Sequence, residues 1–357
     1  MTMEPLNANE QQTPPLDHES RWITLHGDDG IEPGRGRRIV FMAGDEEYRS
    51  EEALPMLARM MNKHGFECIV LFSQDVESGE VDPEVLDNIP GTHLIKDADL
   101  LVLFLRFREL PDEDMAHIVD HVASGKPVTG IRTSTHAFFY RENEDSPHAR
   151  WTWNASDPPG GFGGEILGET WVSHHGNHGS QATRGVKEPS NAHHPALRGV
   201  EDVFGPTDVY GIRTLPEDST ILLRGVVIDG MDPDDEPVEG EQNEPMIPIV
   251  WVRERPLNSN STQRIFVTTM GTAEDWSSEG LRKVFANASL WQLGDEDLIP
   301  ETGLESPVIG PWEPTPFGFG SHRGGYKPAQ YLKGSPWANS MGATLDQVES
   351  PRTTPEK

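Results

Sequence analysis

A single cysteine, Cys68 within "FECIVLF", is all that the 357 residues contain. One thiol forms no intrachain disulfide and no multi-cysteine metal site, and its apolar neighbours place it on a buried strand as an inert residue. Long apolar runs are missing too. No segment approaches the roughly 18 apolar residues of a membrane span, and the start, "MTMEPLNANEQQTPPLDHES", has neither a basic nor an apolar stretch. The chain is therefore predicted to be soluble and cytoplasmic, or periplasmic if a signal-bearing segment precedes residue 1. Positive charge is scarce as well. Against 59 Asp and Glu stand 29 Lys and Arg, a formal net charge of -30 that repels a phosphate backbone and an anionic membrane surface alike. Neither nucleic acid nor membrane is expected as a partner; the excess suits a solvated acidic surface.

Glycine and proline are abundant, 35 and 30 residues, while hydrophobic residues make up 35% of the chain. That balance predicts one compact core carrying many long, turn-rich loops. Residues 1–36 read as an N-terminal tail or linker, 37–300 as an α/β domain, and 301–357 as a mostly irregular C-terminal extension apart from the aromatic "PTPFGFGSHRGGY". Inside the domain, "RRIVFMAG", "FECIVLFS", "DADLLVLFLRF" and "KPVTGIR" are short apolar runs with strand character. Helical spacing marks "SEEALPMLARMMNKHG", with Ser50 as N-cap and Gly65 as stop, and "LPDEDMAHIVDHVASG", with Met115, Ile118, Val119 and Val122 on one face. Near-continuous apolar strands alternating with helices predict a doubly wound, flavodoxin-like α/β fold: a mostly parallel sheet with helices on both faces and long loop insertions. A strand pair ("TILLRGVVIDG", "MIPIVWVRE"), one more strand ("RIFVTTMG") and a helix ("SEGLRKVFANASLWQLG") close it.

Ligands of such sheets gather at the carboxyl ends of the strands. Four polar clusters follow predicted strands: "GDEEYRS", "RFRE", "RTSTH", and "HHGNHG" after "GETWVS". All are expected to line one cleft. The stretch "GIRTS" sits where a nucleophile elbow would, yet Arg132 occupies the nucleophile position and no cysteine is near, so glutamine hydrolysis through a thioester is excluded. A hydroxyl nucleophile, Ser134 or Thr135, needs an adjacent base, and His136, its neighbour on a turn, points elsewhere by ordinary turn geometry.

His136 is the foremost catalytic candidate, because an imidazole after a switch-point strand can act as acid, base or ligand; the bland alternative is a packing histidine. Glu46 and Arg132 join it as catalytic candidates. Asp45, Glu46 and Glu47 supply carboxylates for proton transfer or a metal, unless Glu46 or Glu47 only caps the following helix. Arg106, Arg108 and Arg132 suit an anionic or carbonyl-bearing ligand, or else pair with local acids. Tyr48, Thr133 and Trp171 complete the substrate-binding set with Asp45, Arg106 and Arg108. Aromatic faces of Trp151, Trp153 and Trp171 pack on sugar rings or in the core. His174, His175 and His178 lie within five residues on a glycine-broken loop. They either hold a divalent ion such as zinc or hydrogen-bond loop backbone and sugar hydroxyls. The glycines of "GGFGGEILGE" lack a strand-to-helix setting, so no nucleotide cofactor is expected. "GMDPDDEPVEG" lacks EF-hand spacing and reads as a solvated loop.

The spans "RIVFMAGDEEYRSEEALPMLA", "GIRTSTHAF", "GETWVSHHGNHGSQATRG", "FGPTDVYG" and "VTTMGTAEDWSSEGLRKVFANASLWQLG" resemble the trehalose-utilisation (ThuA-like) family of the class I glutamine amidotransferase-like superfamily. "PTPFGFG" also looks like the tail of its bacterial subgroup. The resemblance implies a flavodoxin-like sandwich without the amidotransferase nucleophile, associated with trehalose, related disaccharides and their 3-keto forms. It also implies, for some members, a metal held by histidines at the carboxyl edge of the sheet. A small sugar ligand is the expected partner, and a homo-oligomer is compatible with the sequence. The expected activity is acid/base chemistry on a sugar, metal-assisted or not; the alternative is a carbohydrate-binding or regulatory module on the same fold.

Overall fold

The computed structural model describes residues 21–258 and 260–338; residues 1–20 of the expected tail and 339–357 of the expected extension lie outside them. In chain order the elements are β1 (Ile23–Leu25), β2 (Arg38–Gly44), α1 (Ser50–Asn62), β3 (Glu67–Phe72), β4 (Leu100–Leu105), α2 (Asp112–Ala123) and β5 (Val128–Ile131). After a long insertion come β6 (His174–His175), β7 (Ala182–Lys187), β8 (Val203–Gly205), β9 (Val209–Tyr210), β10 (Ser219–Ile228), β11 (Ile247–Asn258), β12 (Ser261–Thr268) and α3 (Glu279–Leu293). Ten strands form one sheet in the order β1-β3-β2-β4-β5-β12-β11-β10-β7-β8. Pairing is parallel from β3 through β2, β4 and β5 to β12, and antiparallel beyond. The parallel sheet expected from the sequence is thus the centre of a larger mixed one. The reason is local: β11 and β12 pair as far as Asn258 opposite Ser261, a link too short for a parallel crossover.

The apolar strands are buried on both faces, as their composition requires. Along β2, Ile39, Phe41 and Ala43 face the core shared with α1 and α3, while Val40 and Met42 face the core shared with α2. Chain order reverses at β2: β3 lies on one side of it and β4 on the other. The carboxyl ends of β2, β4 and β5 therefore open side by side at a switch point.

Three local expectations are corrected. Part of the supposed N-terminal linker is β1, which pairs Ile23 with Val70 and covers the edge of β3. Its three residues are too short for a periodic signal. "GETWVS" joins no strand of the large sheet; β6, which follows it, makes only a two-stranded ladder with β9, His174 opposite Tyr210. Trp171 packs against the core while Val172 is exposed, so the segment is too short in apolar residues to form a buried strand. Ser50 is the first residue of α1 and not its cap: its hydroxyl accepts from Asp45 N at 3.0 Å, and neither Glu46 nor Glu47 caps the helix. Ser278 does cap α3, accepting from Leu281 N, and Gly294 ends that helix at φ 79°.

The first turn of α1 buries two adjacent carboxyls, Glu51 and Glu52. Among the described residues neither oxygen of Glu51 has a hydrogen-bond partner, and burial, with Glu52 beside it, pushes its carboxyl up to about 8. An unfolded carboxyl ionises near its ordinary value of 4.5, so the unfolded chain loses this proton first. The contribution of Glu51 to stability is fully present below pH 4.5 and is lost as pH rises through 8. Glu51→Gln removes the titration, and its stability relative to the parent should rise between pH 5 and 9 by on the order of 3 kcal/mol. Thermal melts at the two pH values check this. An equal gap at both would refute it.

Candidate functional site

Strained backbone marks the carboxyl edge. Of the four described non-glycine residues with positive φ, three are Arg49 (62°), Phe107 (52°) and Arg132 (45°), in the segments after β2, β4 and β5. Left-handed conformations cost about 1–3 kcal/mol each at such residues and persist where the surroundings over-determine them, commonly at functional sites. Arg132 keeps the sharp turn of a nucleophile elbow and leads into a 3₁₀ turn, Arg132–His136. The glycine-rich stretch packs beneath that turn: a Cβ on Gly163 would lie 2.0 Å from Thr135 O. Close backbone approach accounts for a glycine there. Cys68 is buried on β3, where burial pushes its thiol up.

Several expected ligand-binding groups face inward. Asp45 is fully buried; its Oδ1 accepts from Glu47 N at 2.7 Å and Tyr48 N at 2.6 Å, and its Oδ2 from the Thr133 hydroxyl. Burial raises its carboxyl against those hydrogen bonds. Asp45 and Thr133 thus tie the loop after β2 to the turn after β5. Arg108 is also fully buried, donating to Ser73 Oγ, the carbonyls of Pro83, Val85 and Arg106, and Glu46 Oε2 at 2.6 Å. Arg132 donates to the carbonyls of Asp208 at 2.8 Å and Thr269 at 3.1 Å, with its guanidinium 3.9 Å from the Tyr48 ring and 5.0 Å from that of Tyr210. Its Nη2 lies 3.5 Å from Asp208 Oδ1. Tyr48 is sealed in beside it. Asp45, Tyr48, Arg108, Arg132 and Thr133 are thus enclosed by protein partners in this structure. A cation followed by hydroxyls at a strand end reads the same in sequence whether it faces water or the interior.

What reaches the cleft is a smaller set. His136 is 3% exposed, with Nδ1 3.2 Å from Thr135 Oγ1 and its ring against Phe107 (4.9 Å), Tyr210 (5.6 Å) and Trp171 (5.9 Å). Burial, then the charges of Arg106 and Arg132, hold it well below the ordinary histidine range, so the imidazole is neutral at physiological pH. Across Trp171 and Tyr210 lies His174, 6.0 and 5.8 Å from those rings. His174 Nδ1 is 2.5 Å from Asp208 Oδ2, and His178 Nδ1 is 2.9 Å from Asp208 Oδ1. Glu47 Oε1 lies 3.3 Å from His178 Nε2. Hydrogen bonds to Asp208 and then Glu47 push His178 up to about 9. Asp208 itself is held well below the usual carboxylate range: burial opposes this, and the two imidazoles and Arg132 outweigh it. Arg106 completes the floor, salt-bridged to Glu46 and stacked on Phe107 at 4.5 Å. Glu46 is thereby tied between two arginines; Glu47 is the carboxylate that meets a histidine.

Two of the three clustered histidines converge on one carboxylate. His174, His178 and Asp208 present ligand atoms within 4.8 Å of one another, whereas His175 turns away to Gln242 O at 2.9 Å. Asp208 was not foreseen: nothing in "FGPTDVYG" sets that aspartate apart from the many acids of the chain. The tryptophans divide as well. Trp153 stacks on Phe107 and Trp171 at 5.9 Å each and belongs to the cleft wall, while Trp151 packs on Phe162 in the core. A cavity of about 700 Å³ opens elsewhere, between Phe204, Met231 and the start of α3. No imidazole lines it.

The sequence profile of the ThuA family, described as trehalose utilisation, matches residues 38–292, from β2 into the last turn of α3. This chain belongs to the ThuA family. No curated protein matches it. Among solved structures, a thua-like protein from Bacteroides uniformis ATCC 8492 is similar at 14% identity and a TM-score of 0.43, covering 71% of this chain and 90% of that one. Another from Parabacteroides merdae ATCC 43184 shows 13% identity and a TM-score of 0.44, covering 72% and 90%. The match to the ThuA profile takes in all the histidines and carboxylates of the cleft and ends before residue 313, where a further segment approaches the site. Among the described residues no helix is long and apolar enough to cross a membrane.

Proposed function

We propose that this ThuA-family chain carries out acid/base chemistry on trehalose, a related disaccharide or its 3-keto derivative, with His136 as the base. The observation that carries this reading is the imidazole of His136 sharing Trp171 and Tyr210 with the His174–His178–Asp208 group. Thr135 engages one ring nitrogen and leaves the other for a sugar hydroxyl proton. Arg106, partly exposed, faces the oxygen on which charge develops. The Trp153–Trp171 wall gives the ring a face to stack on and excludes water.

Two imidazoles and a carboxylate also suit zinc or a similar divalent ion, with His174, His178 and Asp208 as its ligands. Such an ion, when bound, polarises a carbonyl or hydroxyl oxygen. The strand order of the parallel half, second-first-third-fourth-fifth along the chain, supports a flavodoxin-like core with its ligand at the switch point.

The test is incubation of the purified protein with trehalose, 3-keto-trehalose and related glycosides, with and without EDTA, beside elemental analysis of protein prepared without chelator. Consumption of a glycoside is expected, with a divalent ion present at up to one per chain and reduced in His174→Ala. A protein that neither binds nor converts any of them refutes the reading. Affinity without product would favour the alternative, a carbohydrate-binding module.

A further inference from the structure

Beyond the profile match, residues 313–321 have no regular secondary structure yet lie fixed across the mouth of the cleft. Thr315 donates through N and Oγ1 to the two oxygens of Glu52, at 2.7 and 2.5 Å. Arg49 donates to Gly318 O at 2.9 Å and to Ser321 Oγ at 2.6 Å, and Gly318 N donates to Glu47 O at 2.8 Å. Phe317 turns inward, its ring 5.6 Å from Tyr48 and 5.1 Å from His178. Phe319 turns outward. It is 58% exposed, and among the described residues its ring meets the Arg106 guanidinium at 4.9 Å. Gly318 and Gly320, at φ 140° and 62°, flank it in conformations that suit glycine, so the backbone is shaped to present this ring. A strap this firmly clipped, holding a large apolar ring in water above the residues that bind Glu46 and Glu47, is not a product of disorder.

We propose that Phe319 is the stacking platform of an outer subsite that takes the second pyranose ring of a disaccharide whose first ring lies in the His136 cleft. The apolar C–H face of a pyranose covers an aromatic ring of this size, while its rim hydroxyls stay solvated. Arg106, held between Phe107 and Phe319, links the two subsites and sets their spacing. This inference rests on the sugar reading of the cleft.

The experiment is calorimetric binding of trehalose and of methyl α-glucoside, one ring's worth of it, to the full chain, to Phe319→Ala and to Phe319→Trp. The ratio of disaccharide to monoglycoside affinity should fall about tenfold in Phe319→Ala, the order of one lost ring stack with its buried area, and return in Phe319→Trp. Melting temperatures separate this from unfolding, since an exposed ring contributes little to stability. If the parent protein binds both sugars and the ratio is unchanged in Phe319→Ala, the subsite is wrong and the cleft stands. Should the parent bind neither, the sugar reading fails and the subsite with it. A change of solution mass in Phe319→Ala with an unchanged ratio would hand the ring to self-association and overturn the proposal.

Discussion

Turnover of the glycoside is expected to fall by roughly 100- to 10,000-fold in His136→Ala, the usual worth of a positioned general base. A loop imidazole would be removed at little cost to stability, but this one is 3% exposed among Phe107, Trp171 and Tyr210, so the cavity left in the alanine variant costs about 1–3 kcal/mol. His136→Gln separates the two effects. It fills most of the space and has an amide N–H to donate to Thr135 Oγ1, whose own proton goes to Arg132 O, yet cannot take up a proton at neutral pH. Activity as low as in His136→Ala with a melting temperature near that of the parent supports the base assignment. A glutamine variant that keeps more than about a tenth of the parental rate removes His136 from the chemistry.

The largest loss of stability is expected at Asp208. Arg132 and Asp208 are both fully buried in the turns they occupy, and the carboxylate answers Arg132 on one side and two imidazoles on the other. Asp208→Ala leaves a buried guanidinium with two tyrosine faces, main-chain carbonyls and the more distant Asp275 carboxyl around it, costing about 3 kcal/mol and lowering the melting temperature by roughly 5 °C. It also frees His174 and His178. Combining it with Arg132→Met should recover part of the lost stability, because the uncompensated charge goes too. If Asp208→Ala melts within a degree of the parent, Asp208 is not the counter-ion of Arg132. If the double variant is worse than the sum of the single ones, the same conclusion follows.

What the sequence by itself determined is what short-range physics controls. Apolar runs such as "LLVLFL" and "RIVFMAG" are strands because they are buried on both faces, and Met115, Ile118 and Val122 line α2 because their spacing follows the helix turn. The absence of a thiol after β5 was legible, as was the gathering of polar segments at the strand ends, since both follow from element order. Tertiary structure alone decided which polar groups meet a ligand. Arg132 and Arg106 look alike in the chain, yet the first is sealed between Tyr48 and Tyr210 and the second lies partly open over Glu46. Asp208 is chosen among 59 acids only because β9 pairs with β6 and brings it beneath His174 and His178. Phe319 reaches the cleft only because Glu52 and Arg49, more than 260 residues earlier, clip its strap to α1. Whether a polar or aromatic side chain is satisfied internally or left to face water depends on partners distant in sequence, and no local pattern encodes them.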